Sequence, residues 1–431
     1  MQKIISFIES TVCGAFLPAV LFISGIVMFL KIGIYIFSPR FFVRNIRKNE
    51  GSSLSSLWLA LGGTLGVGNI CGVCAAIYLG GAGCVFWIWV CAIISSVIKY
   101  SETVLAIRFR SSRHSGAHSY ISDALKAPTL AKAFCMLCVI TAFTMGNVTQ
   151  VKAAADFTRL SLKIPTEVSA SVFFLSVLML SLGKGNAIKK FTSKTVPLLC
   201  VFYTVCCVAV IIVFRENIGS VTERIFKEAF TPKAGISGFL GYLCSPAIRL
   251  GITRGVMSNE AGCGTAPIAY AFDTRATPVT SGLLGVIEVL CDTLLLCTLT
   301  AYAVMLPKTP LSESSAQSVI SAFSSALGRA IVPLLGISVF LFALASVSAW
   351  SFYALQSAAY LGFKKRFHIL FSIAFSLTAF LGCYAKENVV WVLADTSVAL
   401  MAIINISAIL LLFEHVHSIT KSEYNTIIQK K

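Results

Sequence analysis

The sequence predicts an all-α polytopic membrane protein of about 11 transmembrane helices, built as a 5+5 inverted repeat behind one extra N-terminal helix. Three observations point there. Of 431 residues, 57% are hydrophobic and only 12% charged, with a mean hydropathy of +0.84, whereas a water-exposed surface needs roughly twice that charge. Apolar stretches of bilayer length recur along the chain, bounded by charge or glycine. Two of them are interrupted by short glycine-studded breaks, Gly66-Val67-Gly68-Asn69 and Ser258-Asn259-Glu260-Ala261-Gly262-Cys263-Gly264, and each break opens a group of five apparent spans.

The first span, 12–37, follows Lys3, is longer than a signal-peptide core and precedes no convincing cleavage site, so it reads as a retained helix outside the repeats. The first repeat, 54–215, contains spans 54–79, 83–108, 129–158, 166–183 and 193–215, with the first break inside 54–79. The connector 215–238, with Arg215, Glu216, Glu223, Arg224, Lys227, Glu228 and Pro232, is the longest polar stretch outside and marks the join. The second repeat, 239–414, contains 239–273, interrupted by the second break, then 278–305, 329–361, 366–384 and 388–414. An odd number of spans per repeat places the second copy upside down. Clusters such as Arg40, Arg44, Arg47, Lys48 and Lys184, Lys189, Lys190, Lys194 fall on one side. The resulting excess of roughly two to one puts the C-terminus in the cytoplasm and the N-terminus outside. The chain 1–431 is one integral membrane domain.

Composition also excludes functions. The net charge of +17 sits in short juxtamembrane clusters with no soluble segment to carry a nucleic-acid site. Fifteen cysteines are present, yet Cys71/Cys74 and Cys135/Cys138, with their metal-knuckle spacing, fall inside spans, where cysteine behaves as a small apolar residue. No transition-metal site and no bound cofactor are expected. His114, His118, His368, His415 and His417 lie in or beside cytoplasmic loops, and no phosphate-cradling Gly-Lys-Ser motif occurs. No catalytic constellation appears, and energy must come from an ion gradient.

The breaks carry the chemistry. Gly62, Gly63, Gly66 and Gly68 crowd one span, and each costs about 1 kcal/mol relative to alanine in a helix. Local unwinding would free the amides of Val67 and Gly68 for a carboxylate and the carbonyls of Gly62 and Leu65 for a small cation; close small-residue packing is the competing reading. The second break brings Asn259 and Glu260 to membrane depth, with Glu260 six residues after Arg254, and a structural ion pair or gate between Arg254 and Glu260 is preferred to proton coupling. Asn147 and Gln150 share a helical face and could present amides to a solute. Asp292, Thr293, Glu288, Asp395 and Asn405 read as interhelical hydrogen-bonding residues, and Lys99 and Glu102 as a structural pair near a cytoplasmic helix end. Trp350, deep in an apolar span, reads as a pocket wall.

At these residues the chain resembles the alanine or glycine:cation symporter family. The matching stretches are Gly66-Val67-Gly68-Asn69-Ile70-Cys71-Gly72-Val73, Phe86-Trp87-Ile88-Trp89-Val90, Gly146-Asn147-Val148-Thr149-Gln150, Arg254 through Gly262, Ala266-Pro267-Ile268-Ala269 and Asp292-Thr293. The resemblance implies a leucine-transporter-like fold in a bacterial inner membrane and symport of alanine, glycine or a close relative, with Na+ as coupling ion or H+ in its place. It points to Gly66, Val67, Gly68, Asn69, Gln150, Met257, Ser258, Asn259 and Trp350 for substrate, and to Gly62, Leu65 and Ser346 for the cation. The chain departs from the family pattern at Val67, Met257, Ala345, Leu355, Val398 and Ile404, which bears on pocket size and on the cation site. An uncoupled facilitator or channel, and a carrier-derived sensor, are the rival readings; oligomeric state is left open.

Overall fold

The computed structural model describes residues 17–47, 54–111, 115–230 and 245–429, and every regular element among them is helical. The predicted stretches 12–16 and 239–244 lie outside the described residues. A chain in hydrocarbon has only its own backbone to hydrogen-bond, and the apolar runs become helices for that reason.

Helix α1 (Leu17–Ile36) is followed by the short basic helix α2 (Pro39–Arg47), which starts on a proline where no amide partner is needed. The first broken span is α3 (Leu54–Thr64) and α4 (Cys71–Gly80), with a 3-10 turn at Val67–Asn69 and a bend of 60°. Next come α5 (Gly83–Arg108) and α6 (Pro128–Phe143), which passes through a wide π-turn at Thr144–Val148 into α7 (Thr149–Leu162). Helices α8 (Thr166–Leu182) and α9 (Lys184–Val213) lead to α10 (Ile218–Ala229). The second broken span is α11 (Pro246–Asn259) and α12 (Ala266–Ala271). Then α13 (Pro278–Val289) runs through a π-wound stretch, Leu290–Cys297, into α14 (Thr298–Met305). The chain closes with α15 (Ser315–Leu327), α16 (Ile331–Tyr360), α17 (Lys365–Gly382), α18 (Glu387–Leu411) and α19 (Phe413–Gln429).

Seven helical stretches among the described residues are long and apolar enough to cross a membrane, and the bent α3–α4 pair makes an eighth. The other three predicted spans correspond to α8 and α17, which are apolar but shorter and pack on each other, and to the broken α11–α12 pair. Two boundaries differ from the sequence reading. Helix α9 begins nine residues before the predicted 193, because its charged first turns at Lys189, Lys190 and Lys194 remain helical without being apolar. The connector is helical from residue 215 to 229, where Val221, Ile225 and Ala229 recur every four residues and bury one face of α10; its residues 231–238 lie outside the described residues.

Helix α5 is the axis of one half of the molecule, packed along α11 and α13, while α16 is the axis of the other, packed on α6, α7 and α9. The breaks lie between these two axes, where α3, α7, α11 and the π-wound stretch meet.

Candidate functional site

The first break begins where α3 ends at Thr64. The amide of Gly66 turns back to the carbonyl of Thr64 at 2.9 Å, and Gly66 itself is extended, so the α-helical ladder stops there. A β-carbon at 66 would meet Oε1 of Gln150 and push that side chain aside. That oxygen accepts from the amide of Val67 at 3.0 Å. One of the two amides expected to await a carboxylate is therefore held by Gln150. Gly68 differs, since the space where its side chain would stand is open.

The second break is wound differently. Glu260 takes a left-handed conformation with φ 53°, followed by Gly262 at φ 81° and Gly264 at φ 75°. For a residue with a β-carbon this conformation costs about 1–2 kcal/mol. It persists because Glu260 is gripped on both oxygens, by the indole N–H of Trp350 at 2.9 Å and the hydroxyl of Thr265 at 2.6 Å. The side-chain oxygen of Asn259 accepts from the amide of Ala261 at 2.9 Å just past the end of α11, while its buried Nδ2 has no hydrogen-bond partner.

The two breaks meet at Asp292, in the π-wound stretch. Asn69 Nδ2 donates to Asp292 Oδ1 at 2.5 Å and to its backbone carbonyl at 3.2 Å. Ser258 Oγ donates to Asp292 Oδ2 at 2.6 Å, and Thr293 Oγ1 donates to the same oxygen at 2.8 Å. The carboxylate is fully buried, and among the described residues no Lys, Arg or His forms an ion pair with it. Beside it, Asn69 Oδ1 is buried without a hydrogen-bond partner. Neutral donors alone leave a buried negative charge only partly compensated, and an oxygen-rich niche of this kind suits a small hard cation.

A narrow cavity opens against the first break. Gly63, Thr64, Gly68 and Gly72 form one wall, Met145, Thr149 and Gln150 a second, and Arg254 and Met257 a third. It encloses about 380 Å³ of empty space counting its mouth, but only about 10 Å³ of that admits the centre of a water molecule, room for roughly one water. A larger hollow, of about 1380 Å³ counted the same way, lies between Gly80, α10 and Ser245, is lined by Glu223, Arg224 and Lys227 and touches neither break.

Of the residues named from sequence, Gly68, Gln150 and Met257 line the cavity, and Asn69 and Ser258 are brought together on Asp292. Val67 and Gly66 stand on Gln150. Trp350 is fully buried, its ring against Gly146 and its N–H on Glu260, and is not part of the cavity wall. Ser346 donates to the carbonyl of Gly63 at 2.9 Å, one residue beyond the expected Gly62; Gly62 packs on Thr192 and Leu65 is buried. The expected Arg254–Glu260 pair does not form. Arg254 Nη1 lies 3.4 Å from Asp395 Oδ1 and 3.1 Å from the sulfur of Met257, because the αL turn at 260 carries Glu260 toward Trp350. Asn147 Nδ2 is spent on the carbonyl of Phe375. Thr64, Thr149 and Met145 were missed by sequence reasoning; Thr149 follows the matched Asn147 by two residues, and no local signal marks the others.

Residues 1–431 match the model of the sodium:alanine symporter family. The chain belongs to that family. The sodium/alanine symporter AgcS of Methanococcus maripaludis is 31% identical, over 97% of this chain and 96% of its own length. The probable sodium/glutamine symporter GlnT of Bacillus subtilis is 29% identical over 87% and 79%. A putative sodium/proton-dependent alanine carrier protein of the same organism, YrbD, is 28% identical over 84% and 78%. The family is one of symporters and not of enzymes, and this sodium:alanine symporter family member is a multi-pass membrane protein.

Proposed function

We propose that the protein carries a small neutral amino acid together with a monovalent cation by alternating access, in a 5+5 inverted-repeat scaffold (54–215 and 239–414) with α1 as the extra helix. The single observation behind this reading is the joint hold of Asn69, from the first break, and Ser258, at the lip of the second, on the carboxylate of Asp292. A cation seated among Asp292, Asn69 Oδ1 and Thr293 would bind the arrangement in which both breaks are drawn together, and would shift the population toward it. Na+ fits that oxygen set, and the sodium in the names of the relatives AgcS and GlnT supports it.

The substrate's carboxylate would meet the open face of Gly68 beside this cation, with Gln150 fixing the turn. The side chain of Met257 in the cavity wall favours a short substrate side chain, alanine or glycine, over the glutamine named for one relative. The basic clusters favour a cytoplasmic C-terminus and an outer N-terminus. The test is uptake of labelled alanine, glycine and glutamine into proteoliposomes with sodium and pH gradients imposed separately. Accumulation of the two small substrates driven by the sodium gradient is expected. Movement that only equilibrates, whatever the gradient, would make the protein a facilitator; binding without counterflow would make it a sensor.

A further inference from the structure

A second group of charges lies apart from the cavity and from Asp292. Lys99 and Glu102 stand one turn apart on α5, Glu288 comes from α13, and Glu260 from the second break; all four are buried to within 1% of full coverage. Lys99 Nζ is 3.3 Å from Glu288 Oε1 and 3.6 Å from Glu102 Oε1. None of these three atoms has a hydrogen-bond partner. The opposite oxygens are engaged: Glu102 Oε2 accepts from the amide of Gly264 at 3.1 Å and from Asn405 Nδ2 at 2.9 Å, and Glu288 Oε2 from the hydroxyl of Tyr270 at 2.9 Å. Glu260 faces the same ammonium.

The charges do not balance. The other titratable groups facing the cluster are Cys263 in the break, Tyr270 on α12, Cys291 and Asp292 beyond Glu288, Tyr120 beyond Asn405, Tyr353 on α16 and Cys138 on α6. None of them supplies positive charge, so one lysine serves three buried carboxylates. Fully ionised, the cluster would hold two uncompensated negative charges, each stripped of the hydration that would stabilise it in water. Among the described residues no three His, Cys, Asp or Glu side chains converge as a metal ligand set. Two carboxylate oxygens that share one lysine nitrogen and have no other partner instead suit the smallest cation.

We propose that this cluster is a proton-binding site, with one exchangeable proton on the oxygen of Glu102 or Glu288 that faces Lys99. Binding takes a proton from water and turns one carboxylate into a carboxylic acid, raising the cluster's charge by one; release reverses both. The site braces the second break from two directions. Glu102 holds Gly264 directly and reaches Gly262 through Asn405, whose Nδ2 also donates to the Gly262 carbonyl at 2.8 Å, while Glu288 holds Tyr270 on α12. Moving the proton between them changes which anchor carries full negative charge. The site itself does not depend on the transport reading; only its use in coupling does.

Infrared difference spectroscopy on the full chain in lipid nanodiscs tests it without any transport readout. The wild-type protein at neutral pH should show a deuterium-sensitive carboxylic-acid carbonyl band that is weakened in Glu102→Gln and in Glu288→Gln. The double variant, left with Lys99 and Glu260 in balance, should lose it. Lys99→Gln should do the opposite and strengthen the band, since a further carboxylate must then protonate. No such band in the wild type, or a band unchanged in the double variant, overturns the proposal, as does a band that responds to sodium at fixed pH and not to pH. If the double variant fails to fold, the wild-type band and the opposite sign in Lys99→Gln still decide. Failed uptake with these bands present would sink the transport reading and leave the site standing.

Discussion

The two breaks solve one problem in opposite ways. The first unwinds through a single extended glycine, is stitched by one side chain, Gln150, and leaves Gly68 facing open space. The second unwinds through three left-handed residues and is held by Trp350, Thr265, Glu102 and Asn405, with no residue after Ser258 reaching the cavity. Equal loss of helix therefore does not mean equal roles. A lightly held turn beside a cavity is arranged to receive something, and a heavily braced one is arranged to keep or change its shape.

The largest expected effect strikes what the breaks share. Asp292→Ala should lower the initial rate of gradient-driven uptake about a hundredfold, the loss that follows from removing about 3 kcal/mol of charge-assisted hydrogen bonding. Unchanged uptake would separate the two breaks functionally. Next comes the contrast between glycines. Gly264→Ala puts a methyl against Ala117 and Phe134 at a positive φ, and should destabilise the protein by about 2–3 kcal/mol, read as a lowered melting temperature in detergent. Gly68→Ala meets no neighbour and should leave melting unchanged while weakening substrate binding. Equal melting shifts in both would erase the distinction drawn here. Gln150→Ala should cost about 1 kcal/mol through the freed amide of Val67, seen as a several-fold rise in the substrate concentration for half-maximal uptake. The smallest effect is expected from Asp395→Asn, a change of a few-fold in rate, because the substitution keeps a side-chain oxygen for Arg254 Nη1, which also retains its contact with Met257.

The sequence made the breaks legible because glycine density and buried polar residues are both local signals. It made most spans legible for the same reason, and missed the start of α9 because a charged helix emerging from the bilayer carries no apolar mark. What it could not carry is pairing across distance. Asp292 reads as one polar residue in an apolar helix until the fold brings Asn69 to it from 223 positions away. Lys99 with Glu102 reads as a self-sufficient structural pair near a helix end until α13 supplies Glu288. Arg254 finds Asp395 and not its near neighbour Glu260, because the left-handed turn at 260 reverses the direction that helical spacing assumes. Ser346 misses its expected carbonyl by one residue, a register that only the packing of α16 on α3 decides.

The π-wound stretch Leu290–Cys297 carries one further consequence. A π-turn stores one residue more than its helix needs. If that surplus slid past position 292 along the span, the Asp292 side chain would swing by about 100°, one α-helical step. Asn69 and Ser258 would be released together, although neither of their own segments had moved. Slack of this sort lets a rod change its grip without bending, so the span between α13 and α14 can act as a latch while its ends stay in place.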